Sequence, residues 1–374
     1  MKILFFIPTL SNGGAEKVLC NLTNVLTDFD NLDITVLTLF KDDKTKLSSR
    51  ITYGYVFSKK FRGNVHILKL FSAKLLYKWM IARRGHFDIV VSYLQSPTMR
   101  IVGACPDKSV KTINWVHNEF HSLSKLTHLY RNETECRKSL RAFDRTVYVA
   151  ESARKAMSQC LPEITGDKSY VIYNVNDFHN IIKLSQQSTE NVNFGTDTFN
   201  IISVGRFTPQ KAFDRLVRLI KYLREHSIKA DLYLLGDGEL RNSYIEEAIK
   251  LSVECNLHLL GFKSNPYKYV KKADLFVCSS IHEGYSTAVT EALVIGTPVV
   301  TTMCSGMEEL LGTNGEYGVI VPNDEQALFE AVYNVVSNTL LYQDLKHKTV
   351  LRGRQLAEQD NVLPVMNLFK SLVQ

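Results

Sequence analysis

Glu283 and Glu291 stand eight positions apart around Gly284-Tyr285-Ser286-Thr287, where a hydroxyl residue occupies the mouth of a short helical pattern. Ser286 or Thr287 is predicted to cap a helix running to about Ile295, with Gly296 and Pro298 ending it. The first-turn amides of such a helix carry partial positive charge and lack intrahelical partners, so they suit a phosphate. The two carboxylates then accept hydrogen bonds from hydroxyls on either side of it. A nucleotide-sugar presents that order: hydroxyls, diphosphate, hydroxyls. Arg206 and Lys211 lie across a strand-to-helix turn, where two cations neutralise a departing diphosphate. The plain alternative for both is a solvated surface charge.

These residues need strand ends to hold them. Short apolar runs alternate with longer amphipathic ones, which predicts β/α units around parallel sheets. In the first half, strands are predicted at 3–8, 34–40, 89–94, 112–117, 146–149 and 170–173, with a helix over 15–26. Residues 174–198, rich in Asn, Gln, Ser and Thr, are expected to form a linker and loop. A second series follows: strands at 201–204, 231–235, 258–260 and 275–279, and helices at 212–225, 239–253 and 266–273. The fold class is therefore α/β with two Rossmann-like parallel-sheet domains, at about 1–175 and 195–360. In open sheets of this kind ligands bind off the carboxyl ends of the strands.

Further candidates lie at such ends. Ser11-Asn12-Gly13-Gly14-Ala15-Glu16 joins the first strand to the first helix, either as a tight turn or as a loop that lets a ligand approach the backbone. His117 closes another strand, a place where a histidine is often only structural. Asp28-Phe29-Asp30 hints at a metal pair, but acidic residues between a helix and a strand are ordinary turn chemistry.

Taken in order, several segments resemble the donor half of retaining nucleotide-sugar glycosyltransferases of family 4. They are Val204-Gly205-Arg206, Lys211, Leu235-Gly236-Asp237-Gly238-Glu239, Gly261-Phe262, the two-glutamate element, Gly296-Thr297-Pro298 and Ser305-Gly306-Met307-Glu308-Glu309. The set covers about half the chain and is most similar to bacterial capsule, exopolysaccharide and O-antigen enzymes. The resemblance implies the GT-B fold, its two domains facing a central cleft, with a last helix at about 361–374 returning to the first domain.

It also implies roles. Glu283 binds the transferred sugar and Glu291 the ribose. Arg206, Lys211, Gly14, Ser286 and Thr287 attend the diphosphate, and Gly261 and Phe262 lie along the base. Gly13, Gly14 and Glu16 form the acceptor-side loop, and His117 contacts the sugar near the anomeric centre. Two alternatives stay open: Phe262 as core and Glu291 as merely exposed. The family carries a glycine where this chain has Ala212. The implied reaction needs no metal and no cofactor, the leaving phosphate itself taking the acceptor's proton. A sugar-nucleotide 2-epimerase and a non-catalytic partner subunit are the rivals.

Bulk properties narrow the setting. At 374 residues, 45% apolar and 22% charged, the chain suits two ordinary globular domains. Seven scattered cysteines without a Cys-x-x-Cys pair favour a reducing cytoplasm over disulfides or zinc. Met1–Leu10 is too short and lacks a cleavage site for a signal peptide, and no run is long enough to span a bilayer.

The net charge of +7 is uneven: residues 1–185 hold 27 Lys and Arg against 16 Asp and Glu. From Lys44 to Phe87 stand eleven basic residues, Lys44 to Arg84, with no acidic one, interleaved with Phe61, Leu68, Leu70, Phe71, Leu75, Leu76, Tyr77, Trp79 and Met80. Such a stretch is either a solvated helix with an apolar core stripe or a face for anionic lipids. No nucleic-acid-binding signature accompanies it. The expected partners are a nucleotide-sugar donor and a glycan or lipid-linked acceptor, at the inner face of the plasma membrane.

Overall fold

The β-branched runs of both halves pair as parallel strands, and the amphipathic segments between them form the crossovers that parallel pairing requires. The computed structural model describes residues 1–11, 13–42, 47–164, 166–189 and 192–373. The chain forms two units, one of residues 1–176 with 360–374 and one of 177–359.

The first unit holds seven strands: β1 Lys2–Ile7, β2 Asp33–Phe40, β3 Thr52–Phe57, β4 Ile89–Tyr93, β5 Lys111–Val116, β6 Arg145–Tyr148 and β7 Ser169–Val171. Their order is β3-β2-β1-β4-β5-β6-β7, with every pairing parallel. The order reverses between β1 and β4. The helix Gly14–Leu26 buries Val18, Leu19, Leu22 and Leu26. The terminal helix Val362–Val373 buries Val365, Leu368 and Phe369 in the same unit, and Phe369 meets Phe5 edge to face at 6.3 Å.

The second unit has six strands: β8 Phe199–Val204, β9 Ala230–Leu235, β10 Leu257–Gly261, β11 Leu275–Cys278, β12 Val299–Thr302 and β13 Val319–Val321. Their order is β10-β9-β8-β11-β12-β13, again parallel, with the reversal between β8 and β11. The helix Phe213–Glu225 buries Phe213, Leu216, Val217, Leu219, Ile220 and Leu223 on the sheet. Each such side chain contributes about 2 kcal/mol by leaving water.

Two sequence expectations are corrected. Residues 174–198 are not all linker and loop, because Phe178–Ser185 is helical. Asp177 caps it by accepting from the Asn180 amide, and Ile181 is buried. Strands β3, β12 and β13 were not expected; in β3 Gly54 interrupts the β-branched character, and its side chains are half-buried or exposed. Asp28 and Asp30 do lie in a turn, where Asp28 pairs with Arg50 at 2.6 Å.

Candidate functional site

In the second unit the chemistry gathers where the strand order reverses. Lys211 follows β8, Glu283 follows β11, and Lys211 Nζ donates to Glu283 Oε1 at 2.6 Å. Ser280 Oγ donates to the same oxygen at 2.6 Å. The side chains are 20% and 9% exposed, so the pair is largely desolvated. Burial pulls the Lys211 pKa down, but the Glu283 charge and hydrogen bond outweigh it and hold it above the ordinary lysine value. Lys211 is thus an ammonium, fixed in one geometry against the Glu283 side chain.

A web of main-chain contacts fixes that geometry. Ser279 Oγ donates to Lys211 O at 2.8 Å, and Gln210 Nε2 to His282 O at 2.8 Å. Thr302 Oγ1 and Asn323 Nδ2 both donate to Ser280 O, at 2.7 and 3.2 Å, and Asn323 also to Ile281 O at 3.0 Å. Arg215 Nη1 holds the Asn323 amide oxygen at 2.7 Å. Ser280, Asn323 and Gln210 were not singled out from the sequence. The Ser-x-x-Glu spacing of Ser280 and Glu283 was a usable signal; Asn323, beyond Pro322, gave none.

The helix expected after Glu283 runs Thr287–Ile295. Ser286 is its cap, accepting from the Val289 amide, and Gly296 ends it in the left-handed region at φ 85°. Thr287 and Glu283 are partly exposed, whereas Tyr285 and Ser286 are buried. Glu291 is 7% exposed, which removes the reading of a merely exposed helix glutamate. Arg206 is exposed just past β8.

The neighbouring strand ends lie against one another. A Cβ on Gly236 would stand 1.8 Å from Gly205 O, so only glycine fits there, and the Gly236 amide donates to Gly261 O at 3.0 Å. Phe262 is 55% exposed, so it is not core. Ala212 carries φ 47°, a left-handed backbone that costs a non-glycine residue about 1 kcal/mol.

In the first unit, His117 follows β5 and is 7% exposed. Its amide donates to Gln95 Oε1 at 3.1 Å, and its ring lies 4.5 Å from that of Tyr93. Its Nε2, the Tyr93 hydroxyl and both ends of the Asn114 amide have no protein hydrogen-bond partner among the described residues. Burial pushes the His117 pKa down to about 3, leaving a neutral imidazole at physiological pH. At the end of β1, Gly13 precedes the helix that Gly14 opens, and Glu16 folds back over it; a Cβ on Gly13 would stand 2.0 Å from Glu16 Oε2. Asn12 lies outside the described residues. No cluster suited to a metal ion occurs among the described residues.

The fold has solved counterparts. Anabaena Alr3699/HepE, crystallised with UDP and glucose, superposes with a TM-score of 0.77 at 18% identity, over 99% of this chain and 100% of that one. Sucrose-phosphate synthase from Thermosynechococcus elongatus gives 0.78 at 15% identity, over 100% and 99%. At these identities the likeness shows the fold, which is that of the two-domain GT-B glycosyltransferases.

Family models agree: residues 12–178 match Glycosyltransferase Family 4 and residues 185–352 match Glycosyl transferases group 1. The two models together span most of the chain and mark it as a glycosyltransferase built of these two domains. It is 27% identical to the N-acetylgalactosamine-N,N'-diacetylbacillosaminyl-diphospho-undecaprenol 4-alpha-N-acetylgalactosaminyltransferase of Campylobacter jejuni, over 94% of this chain and 95% of that protein. It is 32% identical to the uncharacterized glycosyltransferase MJ1059 of Methanocaldococcus jannaschii over 51% of this chain, a match spanning about half (48%) of that relative. Identity to the capsular polysaccharide biosynthesis glycosyltransferase CapM of Staphylococcus aureus is 28%, over 43% of this chain and 42% of that one.

Proposed function

We propose that this glycosyltransferase is a retaining hexosyltransferase that takes its sugar from a UDP-sugar and extends a lipid-linked glycan of the cell surface. The observation that carries the proposal is the Lys211–Glu283 pair, held at 2.6 Å beside the capped start of the helix Thr287–Ile295. Supporting it are the printed identities of relatives: the Campylobacter enzyme acts on a diphospho-undecaprenol glycan, and the Anabaena protein was crystallised with UDP and glucose.

In the proposed step the bond from the anomeric carbon to the β-phosphate oxygen breaks, and its electron pair goes to that oxygen. Arg206, Lys211 and the first-turn amides at Thr287 stabilise the growing charge. The acceptor hydroxyl oxygen bonds the anomeric carbon from the same face, and its proton passes to the departing phosphate. Glu283 orients the sugar by accepting from its hydroxyls, Glu291 accepts from the ribose, and Gly261 and Phe262 flank the base. The neutral His117 hydrogen-bonds a sugar hydroxyl and moves no proton. The loop at Gly13, Gly14 and Glu16 belongs to acceptor recognition. No metal or cofactor takes part.

The test is a transfer assay over a panel of UDP- and GDP-sugars with an undecaprenyl-diphosphate glycan, the product's anomeric configuration being read by NMR. Transfer with retention is expected from a UDP-sugar, and Glu283→Gln should lower the rate about a thousandfold while the protein stays folded. Epimerisation of the donor without acceptor would support the epimerase instead. Unchanged turnover in Glu283→Gln would remove that residue from the site.

A further inference from the structure

We infer that the corner formed by the helices Asn64–Leu70 and Ala73–Met80 docks on an anionic lipid bilayer. The inference concerns a surface of the first unit and does not depend on the transfer chemistry. Within thirteen residues this corner exposes five large apolar side chains: Ile67 at 42%, Leu70 at 77%, Phe71 at 53%, Leu75 at 63% and Trp79 at 43%. Soluble surfaces scatter such residues singly, and clustering of this kind marks an interaction face. The core does not claim them, because each helix buries a different set: Leu68 from the first, and Leu76, Tyr77 and Met80 from the second.

Charge says which partner. Lys59, Lys60, Arg62, Lys74, Lys78 and Arg83 are exposed around these apolar residues, and Arg83 lies 5.1 Å over the Trp79 ring. No acidic residue occurs between positions 47 and 87. An apolar tip ringed by cations of one sign matches a headgroup layer that is anionic outside and apolar beneath. Of the other members of the basic run, Arg50 pairs with Asp28, Lys69 and Arg84 are half-buried, and Lys44 and Lys46 lie outside the described residues.

The backbone of the tip is prepared for a place poor in water. The last carbonyls of a helix lack intrahelical donors and ordinarily bond to water. Here two arginines take them. Arg100, only 2% exposed, donates from Nη1 to Leu68 O and from Nη2 to Phe71 O, both at 3.0 Å. Arg131 donates from Nε to Lys69 O at 2.7 Å and from Nη2 to Leu70 O at 3.1 Å. Glu135 locks the clamp, accepting from Arg100 Nε at 2.9 Å and from the Arg131 amide at 2.7 Å. Four consecutive carbonyls at 68–71 are thus satisfied from within the protein, so Leu70 and Phe71 can enter an apolar layer without stranding backbone acceptors. A helix end that only faced solvent would not need them.

The test is co-sedimentation of the full chain, without donor or acceptor, with phosphatidylglycerol-rich vesicles and with vesicles of phosphatidylcholine alone. Binding is expected to the first and not the second, and Lys74→Gln and Lys78→Gln should each weaken it about fivefold. Leu70→Ser with Phe71→Ser should abolish the binding that survives raised salt, with the melting temperature unchanged because both residues are exposed. Failure of the wild type to sediment with anionic vesicles at low salt would overturn the inference. So would binding that these variants leave intact, or a concentration-dependent dimer that hides the corner and binds no vesicle. Vesicle binding without sugar transfer would sink the proposed activity and leave this inference standing.

Discussion

The two units share a strand order of three-two-one-four and differ in where they bury charge. The second sets its Lys211–Glu283 pair at the reversal between β8 and β11. The first sets its Arg100–Glu135 pair beneath the Asn64–Leu70 helix, and at its strand ends keeps the neutral His117, Asn114 and Tyr93. One sheet topology thus specifies a place for a ligand and not its electrostatics. Charge at the strand ends suits a phosphate, whereas neutral, unpartnered polar groups suit hydroxyls.

Removing Arg100 tests the first unit's arrangement most severely. Arg100→Ala strands the Glu135 carboxylate and two helix carbonyls, so chemical denaturation should show a loss of about 3 kcal/mol. The Glu135 pKa is raised by burial but brought below its ordinary value overall by Arg100 and the Arg131 amide. Its contribution is therefore present above the unfolded carboxylate pKa and lost as pH falls through the folded one. If Arg100→Ala costs no more than a surface change, the clamp is incidental.

Acid titration probes the neutral strand ends. With a folded pKa of about 3 against an ordinary 6.5, His117 binds fewer protons in the native state, so stability falls as pH drops below 6.5 and levels out near 3. Between pH 7.5 and 5 this one group should cost about 2 kcal/mol, and His117→Phe should flatten the profile over that window. Identical slopes for the two proteins would show that His117 is solvated and can carry charge.

The smallest effect sharpens the second unit. Ala212 holds a left-handed backbone beside Lys211, so Ala212→Gly should relieve strain and raise stability by up to about 1 kcal/mol. Ala212 is also buried, and if the lost methyl contact outweighs the strain, denaturation will show a decrease instead.

Much of the second unit was legible in the sequence because its signals are local. Ser286 and Gly296 are cap residues at helix spacing, and Lys211 and Glu283 sit in motifs that follow apolar strands. Its bracing was not legible: Asn323 reaches Ser280 across forty-three positions, and nothing near Asn323 marks it. Arg100 was equally hidden, a cation inside the apolar helix Pro97–Val102 whose partners lie about thirty positions away on either side. The helix Phe178–Ser185 was missed although Asp177 and the Ile181-Ile182-Leu184 spacing announced it, because the polar residues around it dominated the segment. The Ser11–Glu16 loop showed its glycines but not that Glu16 would lie over Gly13.

The β8 end of the second unit is proposed to grip a nucleoside diphosphate. Titration calorimetry of UDP into the wild type, Arg206→Ala and His117→Phe tests it most directly. UDP should bind the wild type, weaken about tenfold or more with Arg206→Ala, and be indifferent to His117→Phe. Equal affinity for the wild type and Arg206→Ala, or no binding of UDP at all, would contradict it.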